Sequence, residues 1–481
     1  MTNEQSTAAI RLSKSKKNLV QFGALCLTVS IACYGLALST LITPILEKHN
    51  AMDMVGLFSI FSSIGITIMT PIGGKLGDIF GRKAVIVVSG LSCILCGIGI
   101  AFAPNLPLLM FCRFGVGFAQ GGFMAAPYVI LGMINEKKNV PKAMGYLTMA
   151  LSIGGFGGSI IAGILTDFGM LNAAILFPAV PLLIGVALIG LLYPNDKSAK
   201  KAKIDTVGIV LLVIALSGIL LPLNYGPTMG WTNPLVLGGL LVGIVFAVIL
   251  IKFEAKQEQP IIPVKLFRNK SYLAFVLVGF ICYFYRGAMD VYSPLGAINV
   301  LGVSTAVAGS LQFPRTIVTM ILPAMAGVWV GKKKSNIWKA MAAATGLSAI
   351  PMLVMGFTTQ SSVFIVIYFV ALTITGVAES CRGVSIPPAA QSCLSAEDMG
   401  VGTALVNFAN SLSTSLAAAI NGAIYGACTA ADATNVVNIQ RGVNTVFLTA
   451  GVVTLVGLAL TVFMVKPLLE KQEKEEKLTN V

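Results

Sequence analysis

Gly74-Lys75-Leu76-Gly77-Asp78-Ile79-Phe80-Gly81-Arg82-Lys83 is a charged, glycine-rich connector between two apolar runs, near 52–72 and 84–103. Each run meets the ~20 residues that a helix needs to cross ~30 Å of hydrocarbon. The connector is therefore expected to be a tight turn in water. Gly74, Gly77 and Gly81 allow close backbone approach. Asp78 is suited to accept from helix N-terminal amides or from Arg82, and Arg82 with Lys83 are expected to hold this side against anionic lipid.

Composition points the same way. Of 481 residues 56% are hydrophobic and only 11% charged, which excludes an ordinary soluble domain and implies a polytopic, all-α membrane protein. The net charge of +14 would suggest a nucleic-acid partner in a soluble chain, but here the position of the charges decides. Alternate connectors and the two tails hold 27 of the 33 Lys and Arg, the opposite connectors hold only Lys48 and Arg441, and four arginines fall inside spans. By the positive-inside rule both termini are expected in the cytoplasm, with the protein in the cell membrane, the lipid bilayer around it and no nucleic-acid partner. The nine cysteines are scattered through apolar segments and read as small core residues, and His49, the only histidine, lies in an outer connector. No metal or cofactor is expected. No cleavable signal is evident, because a polar, basic start leads directly into a full-length span.

Apolar runs give spans near 19–44, 52–73, 84–104, 107–132, 144–165, 171–193, 205–224 and 233–251. After a basic connector, 252–270, come spans near 271–297, 303–330, 340–357, 361–387, 399–427 and 442–465, fourteen in all. Pro294, Pro314 and Pro323 interrupt the pattern, which is tolerated where helices line a cavity.

The spacing G-x-L-G-D-x-x-G-R-K at 74–83 resembles the loop signature of the major facilitator superfamily between its second and third spans. Asp205-Thr206-Val207-Gly208, Gly230-Trp231-Thr232-Asn233-Pro234, Phe253-Glu254 and Pro260 to Phe267 resemble one branch of it, the fourteen-span drug:proton antiporters. That resemblance covers nearly the whole chain. It implies two six-helix bundles, 19–193 and 271–465, with inserted spans at 194–251, a linker at 252–270, tails at 1–18 and 466–481, and a substrate cavity near the bilayer midplane. Leu109-x-x-x-Arg113-x-x-x-Gly117 is similar to the fourth-span motif, with Val116 in place of the usual glutamine. In the fifth-span motif Gly145, Gly154 and Gly158 are in register, but Ser159 replaces the proline and Ala162-Gly163 the final glycine pair. Close helix packing is expected to survive through the small residues; the proline bend is not assured. Gly74, Gly77, Asp78, Gly81, Arg82, Gly154, Gly158 and Gly163 are thus expected to serve conformational gating. Gly327 and Gly331 to Lys334 are a worn echo of the first connector, without its acid.

Arg113, Arg286, Arg315 and Arg382 lie inside spans with Asp290 and Glu379. A central arginine costs roughly 2.5 to 3.5 kcal/mol to insert, so each should face a polar interior. Arg286 and Asp290 are four apart and Glu379 and Arg382 three apart, so each pair can meet on one helix face. This leaves Arg113 and Arg315 least matched, in a net positive interior suited to a carboxylate or sulfonate. Tyr283, Phe284 and Tyr285 stand around these charges, and Asn407, Asn410, Ser411 and Thr414 form a polar stripe. Expected contacts to substrate are Arg113, Arg286, Arg315, Arg382, Tyr285, Asn407 and Asn410, with Asp290 and Glu379 as proton carriers.

An enzyme would need a nucleophile, metal cluster or paired acids at usable spacing, and an ATP-driven pump a G-x-x-x-x-G-K-[ST] loop; neither pattern is found. The first span has no acid of the kind used by exporters of lipophilic cations. The expectation is a monomeric, proton-coupled importer of an amphipathic organic anion, similar in character to the bile-acid uptake proteins of gut anaerobes. A proton-driven multidrug exporter is the alternative, and a sensor on a transporter fold the third reading.

Overall fold

The computed structural model describes residues 12–51, 54–194, 205–257, 260–430, 432 and 435–479. Its long helices are α1 (Lys14–Thr40), α2 (Val55–Phe80), α3 (Arg82–Ala101), α4 (Leu106–Phe123, resuming as Ala126–Ile134), α5 (Val140–Asp167) and α6 (Ala179–Leu192). Then follow α7 (Thr206–Met229), α8 (Pro234–Glu254), α9 (Lys270–Asn299), α10 (Phe313–Lys332), α11 (Ser335–Met355), α12 (Val363–Ser392), α13 (Met399–Thr429) and α14 (Val436–Leu460). A π-helical turn, Thr461–Val465, leads to the terminal helix α15 (Lys466–Thr479). No strand occurs among the described residues.

Local chemistry sets many of the ends. Asn105 caps α4, Asn269 caps α9 and Asn435 caps α14, each accepting from a first-turn amide. Proline lies at the first turn of α4, α5 and α10, where its missing N–H leaves nothing unsatisfied. Pro314 therefore opens a helix instead of breaking one: the expected span 303–330 is a short helix, Thr305–Ser310, followed by α10. Pro294 and Pro323 lie inside helices that continue through them.

The connector at 74–83 differs most from expectation. It is not an aqueous loop, because α2 runs to Phe80 and α3 starts at Arg82, with the whole reversal made at Gly81. Gly81 has φ +88°, a conformation that side-chain-bearing residues avoid. Arg82 is consequently buried, not presented to lipid headgroups.

Twelve helices among the described residues are long and apolar enough to cross a membrane. α2 and α13, with 26 and 31 residues, equal them in length but are not among the twelve. By this measure the expected count of fourteen is not reached; α13 is diluted by Asn407, Asn410, Ser411, Ser413, Thr414 and Asn421. Outward faces are strongly apolar, as with Leu235, Leu241, Ile244, Val248 and Ile251 of α8, which suits hydrocarbon and not water.

Two compact units emerge. One comprises the chain to Leu221 with Leu241–Leu266 and Leu394–Phe408; the other comprises Pro222–Leu240, Phe267–Cys393 and the chain from Ala409 onward. In the first, helices meet through small residues. A Cβ on Gly117 would strike the Ser62 carbonyl, and one on Gly73 would lie 2.5 Å from the Gly122 carbonyl oxygen, so α2 and α4 touch backbone to backbone. α5 lies as closely on α1: Gly154 faces Val29, and a Cβ on Gly158 would be 2.7 Å from Cys33 Sγ. Gly163 has nothing within 4 Å of where a Cβ would sit, so the expected close packing is not made there, although Ala162 beside it is fully buried. Instead the Ser159 hydroxyl bonds Thr40 of α1 at 2.8 Å. In the second unit Tyr285, Met289, Tyr368 and Phe447 build the apolar core.

Candidate functional site

The second unit collects five of the six intramembrane charges into one network. Glu379 of α12 is its centre. Its Oε1 accepts from Arg286 at 2.8 Å and from Arg382 at 3.3 Å, and its Oε2 from Arg315 at 2.6 Å. Asp290 accepts from Arg286 at 3.2 Å and from Arg315 at 3.4 Å. Arg315 is thus doubly paired, against the expectation that it is among the least matched. The reason is long-range. Gly376, one turn before Glu379, lets α12 approach α10 so closely that a Cβ there would sit 2.9 Å from the Arg315 carbonyl oxygen. That contact brings Arg315 within reach of Glu379.

The two expected self-neutralised pairs are therefore one network of three cations and two anions. It keeps one net positive charge. Its exposure is graded: the Asp290 side chain is 44% exposed and Arg286 35%, whereas Glu379 and Arg315 are 12% and 13%. Asp290 and Arg286 form the open end. Arg315 Nε is buried and has no hydrogen-bond partner among the described residues. The Arg382 guanidinium lies 4.0 Å over the Tyr283 ring, which adds a cation–π contact. Tyr285 is buried in the core, near enough for the charges of Glu379 and Arg315 to act on it.

Asn410 lies in the same unit, with its Oδ1 buried and without a partner among the described residues. Asn421, three turns further along α13, is fully buried with neither amide atom partnered among the described residues; it extends the Asn410, Thr414 stripe at helical spacing, the one sign of it in the sequence. Asn407 belongs to the other unit.

Arg113 is likewise in the first unit. Its Nε donates to the Phe58 carbonyl at 3.2 Å and its guanidinium lies 4.8 Å from the Phe58 ring, while no carboxylate among the described residues pairs with it. Arg113 is buried against α2, in a different unit from the three-arginine network.

Asp78 stands at the end of α2. It is held by Arg82 at 2.6 Å and accepts from the amides of Gly400 at 3.1 Å and Val401 at 2.8 Å, in the first turn of α13. A carboxylate there satisfies orphan donors and faces the positive end of the helix dipole. Gly400 leaves the space that the carboxylate occupies, and Gly74 faces Ala404 at 2.5 Å from the position of a Cβ. Gly77, by contrast, is not tightly packed. All nine cysteines are free thiols.

Residues 23–418 match the sequence profile of the Major Facilitator Superfamily. The multidrug transporter protein MdtP of Bacillus subtilis (strain 168) is 24% identical over 428 residues, 86% of this chain and 76% of the relative. A Streptomyces coelicolor protein named "Probable actinorhodin transporter" is 26% identical over 300 residues, 60% of this chain; the match spans about half, 51%, of that relative. Among solved structures, the human organic anion transporter MFSD10 (TETRAN) shares the fold with a TM-score of 0.67 at 14% identity, over 93% of this chain and 99% of that one.

Proposed function

Because this chain belongs to the Major Facilitator Superfamily, we propose that it is a proton-coupled secondary transporter that carries an amphipathic organic anion inward by symport. The observation that carries this reading is the network of Arg286, Arg315 and Arg382 on Glu379 and Asp290, with one net positive charge and an unpartnered Arg315 Nε. A monocarboxylate would neutralise that charge. It would enter at Arg286 and Asp290, the exposed end, and form charge-assisted bonds to guanidinium donors. The aromatic rings of Tyr283 and Tyr285 and the stripe with Asn410 suit an apolar body with few polar anchors.

Coupling follows from competition. Three guanidiniums hold Glu379 as a carboxylate; an anion that engages them weakens that hold, while burial continues to favour the neutral acid. Glu379 then takes up a proton as the anion binds, and the two cross together. Asp290 serves the same exchange at the open end. Asp78 and Arg82, bonded to the first turn of α13, act as a catch in the conformational cycle without touching substrate. We read α2 and α13 as spans besides the twelve, making fourteen with α7 and α8 as the inserted pair, both termini cytoplasmic, and a monomer as the working unit.

One relative is named a multidrug transporter, and the second reading is proton-driven efflux of multiple drugs. The sign of coupling separates the two. Proteoliposomes loaded at alkaline pH and diluted into acidic medium are expected to accumulate radiolabelled cholate but not tetraphenylphosphonium, and an uncoupler to abolish the uptake. Expulsion of either compound by an inward proton gradient would establish efflux instead.

A further inference from the structure

Away from the arginine network, α7 begins and α8 ends at one junction, within the first unit. Asp205 precedes α7 and caps it: Oδ1 accepts from Gly208 N at 2.8 Å, while Oδ2 is buried with no partner among the described residues. Glu254, the last residue of α8, is 2% exposed. Its Oε2 accepts from Ile262 N at 3.4 Å in the linker, and its Oε1 is also buried with no partner among the described residues. These two orphaned oxygens converge. A Cβ on Gly208 would lie 2.6 Å from Asp205 Oδ2 and 2.7 Å from Glu254 Oε1, so the oxygens are at most 5.3 Å apart. The same crowding explains why position 208 is glycine.

The two carboxylates repel each other at this junction, and each has one buried oxygen without a donor among the described residues. A proton on either acid removes the repulsion, and its O–H is a donor for the other's unpartnered oxygen once the two close to hydrogen-bond distance. The other charges in reach agree with a single proton. Lys75 of α2 acts on Glu254, and Asp78, Asp398 and Lys265 act in turn on Lys75. One ammonium beside two acids leaves one negative charge for a proton to cancel.

We infer that Asp205 and Glu254 form a second proton-binding site, holding one proton between Oδ2 and Oε1. The site ties protonation to the linker, because the same Glu254 side chain anchors Ile262. Three residues further along, Lys265 Nζ lies 3.4 Å from Asp398, the residue before α13. Loss of the proton sets two like charges against each other at the linker's anchor. Neither acid touches the arginine network, so the inference stands whichever substrate is carried.

Infrared spectroscopy of the full-length protein in nanodiscs, titrated with pH, tests it. The wild type is expected to show a protonated-carboxyl band that persists where an isolated carboxyl, with a pKa of about 4, is ionised. Asp205→Asn and Glu254→Gln are each expected to remove that band. Asn keeps the helix cap and Gln keeps the acceptor for Ile262, so the fold is retained. A band lost in only one variant, or in neither, overturns the shared proton. So does a wild-type band or melting temperature that shifts when sodium or calcium chloride replaces choline chloride at equal ionic strength, if Glu254→Gln abolishes the shift; a metal cation would then be the occupant. Should a variant not fold, wild-type protein with 13C-Asp or with 13C-Glu supplies the same readout: both labels must shift part of the band, and a band moved by one alone overturns the inference.

Discussion

Arg113 and Arg315 are both arginines within apolar helices, yet their surroundings call for opposite behaviour. Arg315 joins Asp290 and Glu379 and keeps an unpartnered Nε, whereas Arg113 is fixed to the Phe58 carbonyl and ring. Arg315→Ala is expected to weaken binding of a carboxylated ligand by about 1.5 to 3 kcal/mol, roughly 10- to 150-fold, and to leave an uncharged analogue unaffected. Arg113→Ala is expected to lower the melting temperature with Kd nearly unchanged; calorimetric titration with both ligands distinguishes the two. Local spacing was enough to show Arg286 with Asp290 and Glu379 with Arg382. It was not enough for Arg315, whose pairing depends on α10 lying against α12 at Gly376, a contact that no periodicity encodes. Asp78 was legible as an acceptor for either amides or Arg82, and it serves both. Asp78→Asn keeps the shape but loses the charge, so transport in vesicles should fall severalfold while ligand affinity is held. Normal turnover in that variant would remove Asp78 from the cycle.

Helices were easier to read than their joints. Apolar runs locate every long helix, but the charged, glycine-rich stretch 74–83 reads as a tight turn in water, whereas the helices extend through it and Gly81 alone reverses the chain. Small residues in helix interiors were similarly ambiguous, since the sequence does not say which glycine faces a neighbour. Gly117 presses on the backbone at Ser62 and Gly163 on nothing. Gly117→Ala is therefore expected to destabilise the protein by about 1 to 3 kcal/mol through overpacking, seen as a lower melting temperature in detergent. Gly163→Ala should be neutral or slightly stabilising, as alanine is the better helix former. Equal losses in the two variants would show that the α2–α4 contact does not govern the fold's tolerance. Ser159 offers a separate check on α5: Ser159→Ala, which removes the bond to Thr40, should cost on the order of 1 kcal/mol.

For the molecule as a whole, the proposed coupling has proton and substrate compete for the same guanidiniums of the arginine network. Glu379→Gln is expected to abolish accumulation driven by a pH gradient while counterflow of labelled against unlabelled anion continues, and both are measured in one vesicle preparation. Loss of counterflow as well would assign Glu379 to binding or folding and not to coupling. Composition and the connector made the membrane class and the superfamily legible, because burial in lipid constrains whole segments. Cargo and direction depend on a few contacts across helices, and so were left to the site. The seam of Gly158 on Cys33 has a practical use of its own. Cys33 is 1% exposed, with its sulfur against the facing glycine, so a maleimide can reach it only when α1 and α5 part. The chain thus carries a native chemical reporter: the alkylation rate at Cys33, followed by peptide mass spectrometry with and without substrate, records how often that seam opens during turnover.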